Sequence, residues 1–341
     1  APRRRGLTLI ELLITMTIIA IISAAVLGTV SAAMEAGRQA RTRSTITKIH
    51  SLLMEQWESY ATRRVDVHPD WIAYANNLPR NARGQMIADM RLLALRELMK
   101  LEMPDRWSDV ANQDLPATQQ ARPHVLRSPP AVSQTYFRRY LQISDNVDAE
   151  TVLQNQQAEC LYMTVMFLTG DGEARTLFSA QEIGDTDNDG APEFLDGWGN
   201  PIRWIRWAPG FAPQSALMAG DADQDLDPFD VYRRDAPSII SPFPNQYPGL
   251  VRDHIQEMRE RNRFVREDNE TRLLARRLVP LVFSVGPDGD SGIAIGMVGN
   301  LHRAVGLDPY AANPDDGLQL GAPIPGNDAW RDNITNHLNE Y

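Results

Sequence analysis

Apolar residues dominate the first part of the chain almost without interruption. Between residues 6 and 34 the only ionisable side chain is Glu11, and none follows it before Glu35. Roughly 20 apolar residues are enough for a helix that crosses a bilayer. The pattern therefore predicts a membrane-spanning helix over about 12–34. The three arginines that precede it, Arg3 to Arg5, place the N-terminus on the cytoplasmic side by the positive-inside rule.

A helical pattern continues beyond the apolar run. No proline occurs from 35 to 64, and apolar residues recur there at three- and four-residue spacing. The recurring residues are Ile46, Ile49, Leu52, Leu53, Trp57 and Tyr60. We therefore expect one helix over 7–64, with a length on the order of 80 Å. A secretory signal peptide has the same basic start, but its apolar core is shorter and does not continue into such a pattern.

The rest of the chain changes from helical to strand-like patterns. Residues 65–175 have a largely helical pattern, with helices expected over 86–101, 132–141 and 149–168, and we interpret this segment as a helical insertion. Residues 176–341 combine acidic loops with short apolar runs at 202–207 and 281–285, which are typical of strands.

Composition and charge exclude several function classes. The formal net charge is −10, from 34 basic and 44 acidic residues, so nucleic acid is not an expected partner, because binding it requires clustered Lys and Arg. Cys160 is the single cysteine, which excludes an intrachain disulfide and a zinc site built from several cysteines. An acidic chain is better suited to metal cations.

One acidic segment follows a known cation-binding pattern. Alternate carboxylates followed by a glycine, as in DTDNDG at 185–190, converge on a hard cation, for which calcium is the natural choice. The expected ligands are Asp185, Asp187, Asp189, Glu193 and Asp196. No clear helix pair flanks the loop, so an EF-hand fold is not expected, and a solvated acidic turn is the alternative.

Two further motifs carry weaker signals. Asp221, Asp223 and Asp225 form another candidate metal-binding run, but Leu226 stands where the turn glycine would be needed. The sequence GDSG at 289–292 occurs around the nucleophile of chymotrypsin-like proteases, but no histidine has a fitting context. The sequence also lacks GxSxG, HExxH and a phosphate-binding P-loop. We therefore expect no enzymatic activity.

The N-terminal string RRRGLTLIELLITMTIIAIISA resembles the motif of type IV prepilins and type II secretion pseudopilins. The resemblance implies that residues 1–6 are a leader ending at Gly6 and removed by a prepilin peptidase. Leu7 would then be the methylated mature N-terminus. It also implies that Glu11 meets the terminal amine of a neighbouring subunit during assembly. Many pilins have a proline where this chain has Gly28.

Three C-terminal segments resemble the pattern of major pseudopilins. They are Asp196, Trp198, Gly199, Asn200 and Pro201; then Ser284, Gly286, Asp288 and Gly289; then Asp332, Asn333, Ile334 and Asn336. Their order is that of the family, with wider separations. The family binds calcium in its C-terminal loops, which implies that Asp288 and Asp290 are further ligands.

Together these observations predict an α+β protein of the pilin fold. Its long N-terminal helix would pack on a small antiparallel sheet, with a helical subdomain inserted between them. The resemblance implies a single-pass subunit of the bacterial inner membrane, with most of the chain in the periplasm. It would assemble with copies of itself and other pseudopilins, in contact with a secretion platform and ATPase. A type IV pilus subunit, or a signal-anchored calcium-binding domain that does not polymerise, are the alternatives.

Overall fold

The long N-terminal helix is the largest element of the structure. A computed structural model describes residues 8–111, 119–143, 149–168, 174–218, 226–232, 234, 277–295, 307–310 and 317–338. Helix α1 covers Leu9–Ser59 and continues as one 3-10 turn at Tyr60–Thr62. The predicted long helix is therefore confirmed. Its 51 residues correspond to a length of roughly 75 Å at 1.5 Å per residue.

The two halves of α1 have different environments. Apolar side chains of the first half are exposed, including Leu9 at 87% and Leu27 at 70%. Burial begins at Thr42 and includes Ile46 and Trp57 in the second half. Among the described residues, this helix is long and apolar enough to cross a membrane. By length and composition, it indicates a membrane-anchored protein.

Helices continue through the middle of the described chain. They are α2 Pro69–Asn76, α3 Arg80–Glu102, α4 Ala131–Tyr140, α5 Ala149–Gln154, α6 Gln156–Leu168 and α7 Ala174–Leu177. The predicted helix over 149–168 is divided at Asn155, whose carbonyl accepts the Ala158 and Glu159 amides at the start of α6. The break directs the Asn155 side chain toward an acidic loop, as described below.

The strands form two small antiparallel sheets. Strands β1 Ile183–Gly184 and β2 Glu193–Phe194 form a hairpin around the DTDNDG loop. Strands β3 Arg203–Ile205, β4 Leu281–Ser284 and β5 Ile334–Thr335 form a sheet in the order β3-β4-β5. Trp204 pairs with Val282 and Phe283 pairs with Thr335. All four residues of β4 are buried, as expected of a central strand.

Helices and sheet share one apolar core. The second half of α1 packs on β4 and β5, and α6 packs on β2 and β3. One buried cluster includes Ile49 of α1, Leu93 of α3, Leu161 of α6, Trp204 of β3 and Val282 of β4. This arrangement confirms the predicted α+β fold with a small antiparallel sheet. The division into insertion and C-terminal segment at 175 stays a prediction.

Candidate functional site

Glu11 lies in the first turn of α1. The predicted processing residues Gly6 and Leu7 lie outside the described residues. Thr8 is the N-cap, and its hydroxyl accepts the Glu11 amide at 3.3 Å. The Glu11 carboxylate accepts in return from the Thr8 amide and hydroxyl, each at 2.9 Å. This reciprocal capping box satisfies helix donors that would otherwise be unpaired, so Thr8 and Glu11 begin the helix together.

The three segments of the pseudopilin-like pattern meet at one corner of the sheet. The Asp196 carboxylate accepts the Trp198 and Asn200 amides at 2.8 Å each, and its other oxygen accepts the Ser284 hydroxyl at 2.7 Å. The Asn200 side chain donates to the Gly286 carbonyl at 2.8 Å. The turn before β3 is therefore bonded directly to the end of β4.

The last segment and the long helix complete this corner. Asn333 donates to the Ser291 carbonyl at 2.7 Å, and Asn336 accepts the Val282 amide at 2.8 Å. The Trp198 indole donates to Glu35 of α1 at 3.3 Å. Side chains that are far apart in the sequence thus bond the C-terminal segment to β4 and to the turn that follows it. They also bond the turn before β3 to α1.

The DTDNDG loop folds back on itself between β1 and β2. Asn188 and Gly190 have positive φ angles of 60° and 94°, a conformation that asparagine and glycine tolerate better than other residues. The Gly190 amide donates to Asp185 at 3.1 Å and the Ala191 amide donates to Asp189 at 2.7 Å. The glycine of the motif therefore allows the sharp turn that was expected from its position.

A carboxylate from helix α6 joins this loop. Glu159, Asp187 and Asp189 each offer one oxygen, and the three oxygens lie within 4.8 Å of one another. Glu159 and Asp189 are buried, with exposed fractions of 1% and 0%. Asp187 and Asp189 were predicted as metal ligands from the motif, whereas Glu159 was not.

Burial and mutual repulsion raise the pKa values in this cluster. Burial, with the charges of Asp189 and Asp187, raises the pKa of Glu159 to about 9. Burial also raises the pKa of Asp187 and of Asp189, and it raises that of Glu193 to about 7. The folded chain therefore holds several acidic groups where their charged forms are disfavoured without a positive charge.

The other ligands expected from the motif have different positions. Glu193 is buried next to the loop, where it accepts the Thr186 amide at 3.1 Å and the Asn155 side chain at 3.2 Å. Asp185 is exposed. The structure does not bring Asp196 into the cluster, because its carboxylate is bonded within the sheet corner.

The remaining predicted ligands lie elsewhere. Asp290 accepts the Gly292 amide at 3.1 Å and the Asn327 side chain at 2.9 Å, and Asp288 accepts the Asp290 amide at 3.0 Å. Both side chains are exposed in this turn, and calcium binding there stays a prediction. Asp221, Asp223 and Asp225 lie outside the described residues.

The GDSG sequence forms part of a structural turn. Ser291 is buried and its hydroxyl lies 3.5 Å from the Ile293 carbonyl. Its backbone carbonyl accepts Asn333, as described above. Asp290 bonds the Gly292 amide in the same turn. These contacts give the motif a local structural explanation.

The DTDNDG motif did not identify Glu159 as a candidate ligand, because Glu159 is distant from the loop in the sequence. It is the one carboxylate in the apolar segment QQAECLYMTVMFL. A charged residue in such a segment is seldom buried without a partner, which was the available signal. The sequence could not name that partner, since the packing of α6 on β2 decides it.

Comparison with known proteins identifies the N-terminal motif. Residues 1–27 match the family described as Prokaryotic N-terminal methylation motif. No curated protein and no solved structure matches the chain. The match implies processing by a prepilin peptidase and assembly with pilin-like subunits, and it indicates a structural subunit rather than an enzyme.

Proposed function

We propose that the protein is a structural subunit of a type II secretion pseudopilus, anchored in the bacterial inner membrane with its globular part in the periplasm. The observation that carries the proposal is the methylation motif in residues 1–27, followed by a helix whose first half is exposed and apolar. Such a surface is suited to lipid before assembly and to the same helices of other subunits afterwards.

The sheet corner supports secretion over a pilus. The segments beginning at Asp196, Ser284 and Asp332 have the order seen in major pseudopilins. Asp196 bonds Ser284 and Asn200 bonds Gly286, and Ile334 of the third segment pairs with Ser284 in the sheet. A shared structural role explains why such a pattern would persist with altered separations. The expected partners are other pseudopilins, the secretion platform and its ATPase.

Glu11 is the proposed assembly contact. A charged side chain inside a membrane helix costs about 2.5–3.5 kcal/mol on insertion scales. Within one chain the Glu11 carboxylate is bonded to Thr8, which carries no formal charge in its side chain. The positive terminal amine of Leu7 on a neighbouring subunit would neutralise it after cleavage, so assembly is favoured over the isolated subunit.

Processing is tested by coexpressing the full chain with a prepilin peptidase and measuring the mass of its N-terminal peptide. We expect a peptide that begins at Leu7 and carries a methyl group on its amine. An intact leader in the presence of active peptidase would refute the proposal.

Assembly is tested with Glu11→Ala and the control Thr17→Ala in cells that express the other components. Thr17 lies in the same exposed half of α1, and its hydroxyl bonds only the carbonyl of Leu13 among the contacts described. We expect Glu11→Ala to remain in the membrane without entering filaments, and Thr17→Ala to assemble normally. Normal filaments of Glu11→Ala would contradict the assembly contact.

The neighbouring genes distinguish secretion from a pilus. A gene for a secretin would support secretion, whereas genes for pilus retraction would support a pilus.

A further inference from the structure

Three buried carboxylate oxygens in the acidic cluster have no hydrogen-bond partner. They are Oε1 of Glu159, Oδ1 of Asp187 and Oδ2 of Asp189. Most buried polar atoms in proteins are paired, and an unpaired one requires an explanation such as strain, a catalytic role, or a bound water or ion. The same three residues supply the oxygens that converge within 4.8 Å.

The second oxygen of each carboxylate is held in place. The Trp107 indole donates to Oε2 of Glu159 at 2.6 Å. The Asn155 side chain donates to Oδ2 of Asp187 at 3.1 Å, and the Ala191 amide donates to Oδ1 of Asp189 at 2.7 Å. Each carboxylate is thus oriented by a neutral N–H group, while its other oxygen is buried without a hydrogen-bond partner. Metal ligands are commonly oriented by such outer contacts.

We propose that Glu159, Asp187 and Asp189 bind one Ca²⁺ ion between helix α6 and the β1–β2 loop. Calcium takes six to eight oxygen ligands at about 2.3–2.6 Å, so oxygens on opposite sides of one ion lie up to about 5 Å apart. The three oxygens lie within 4.8 Å of one another, which is compatible with this geometry. Mg²⁺ requires distances of about 2.0–2.1 Å and a stricter octahedron, whereas the alternate aspartates and turn glycine of the DTDNDG loop follow the pattern of calcium-binding loops, which favours Ca²⁺.

Space next to the cluster allows the coordination to be completed. A cavity of about 90 Å³ is lined by Glu159, Trp107, Gly190 and Ala191, among others. This volume is sufficient for water, and three carboxylates leave coordination positions that water or backbone carbonyls occupy in calcium sites. Arg139 also lines the cavity, but its guanidinium is directed over the Phe167 ring at 5.3 Å.

The ion would connect two parts of the fold. Asp187 and Asp189 belong to the β1–β2 loop, whereas Glu159 belongs to the buried first half of α6. Binding would therefore fix the loop against the helix that packs on β2 and β3. The proposal goes beyond the assembly proposed above, because binding in the unprocessed monomer depends on neither cleavage nor polymerisation.

The test uses the full chain, purified in detergent and freed of metal with a chelator. Titration with CaCl₂ is followed by calorimetry, and the unfolding temperature is measured with CaCl₂ and with chelator. We expect one calcium ion to bind at this site and the unfolding temperature to rise by several degrees, since a ligand that binds only the folded state stabilises it. MgCl₂ should bind more weakly.

Two variants and a control locate the ion. Glu159→Gln retains side-chain volume and an acceptor for Trp107, and Asp187→Asn provides a second folded variant if the first does not fold. Each should weaken calcium binding at this site at least about tenfold, by analogy with the effect of altering a metal site. The control is Asp70→Asn, since Asp70 lies in α2 with 89% of its side chain exposed, and this variant should retain calcium binding. The proposal is overturned if the wild-type chain shows no calcium binding, or if the folded variants bind as the wild-type chain does.

Discussion

At the scale of single residues, His337 shows how burial selects a protonation state. The side chain is completely buried, between Ser215 and the Pro280 carbonyl. A carbonyl only accepts hydrogen bonds, so Nε2 carries the proton and donates at 3.0 Å. Nδ1 then accepts from the Ser215 hydroxyl at 2.8 Å. The neutral imidazole therefore fits this site, and burial lowers the pKa of His337 to about 4.

The lowered pKa of His337 predicts that the folded chain loses stability in mild acid. Below pH about 6.5 the unfolded chain gains a proton on His337, whereas the folded chain gains it only near its pKa of about 4. The free energy of unfolding should therefore fall by about 2 kcal/mol on this account between pH 7 and pH 5. The measurement is guanidinium unfolding of the full chain in detergent at both pH values.

The matched variant is His337→Gln, which should be less stable at neutral pH but should lack this contribution to the pH dependence. All other titrating groups are shared by the two proteins. Equal losses of stability between the two pH values in the wild-type chain and the variant would contradict the prediction.

At the scale of elements, a buried ionic network joins the end of α3 to the end of β3. Arg206 follows β3 and has an exposed fraction of 2%. Its guanidinium donates to the Met103 carbonyl at 2.7 Å and to Asp109 at 2.8 Å, and its amide donates to Asp105 at 3.1 Å. A helix end and a strand end are thus held together by charged groups with little access to water.

Replacing Arg206 should strongly destabilise this junction. In Arg206→Met the two aspartates lose their shared cation while remaining buried. Asp105 keeps its pair with Arg106 and Asp109 keeps its pair with Lys100, so we expect a cost of about 3 kcal/mol, at the lower end of the range for removing one partner from a buried ion pair. The control is Arg331→Met, since Arg331 is largely exposed and its pair with Asp328 should contribute less than about 1 kcal/mol. Thermal unfolding of both variants provides the measurement, and similar melting temperatures would disprove the role of Arg206.

At the scale of the whole molecule, the two halves of α1 lie in different surroundings. Its first half exposes the largest set of apolar side chains in the described part of the chain, whereas its second half lies in the core with β4 and β5. The globular part therefore receives no buried residue from α1 before Thr42. The same helix supplies both the apolar anchor and a central packing element.

A chain that begins at Glu35 should fold without detergent. It keeps the Trp198–Glu35 hydrogen bond and every buried residue of α1. We expect a monomer in sedimentation experiments, with an unfolding free energy within about 0.5 kcal/mol of the full chain, because the described residues that are lost, 8–34, are all exposed. Aggregation, or a much lower melting temperature than the full chain in the same detergent, would show that the first half also supports the fold.

The sequence by itself determined the elements whose signals are local. The unbroken periodicity and the absence of proline predicted α1, and apolar runs predicted β3 and β4, because these patterns involve neighbouring residues. The alternate aspartates and Gly190 likewise predicted the sharp turn of the acidic loop. The glycine and glutamate spacing at the N-terminus indicated the methylation motif, which is a local signal as well.

Tertiary structure decided which distant residues meet. The packing of α6 on β2 brings Glu159 to Asp187 and Asp189, whereas Asp196 of the same motif bonds Ser284 in the sheet corner. No spacing in the sequence distinguishes these two outcomes. The partner of a carboxylate depends on how helices and strands share the core, and that arrangement is set by the burial of apolar surface across the whole chain.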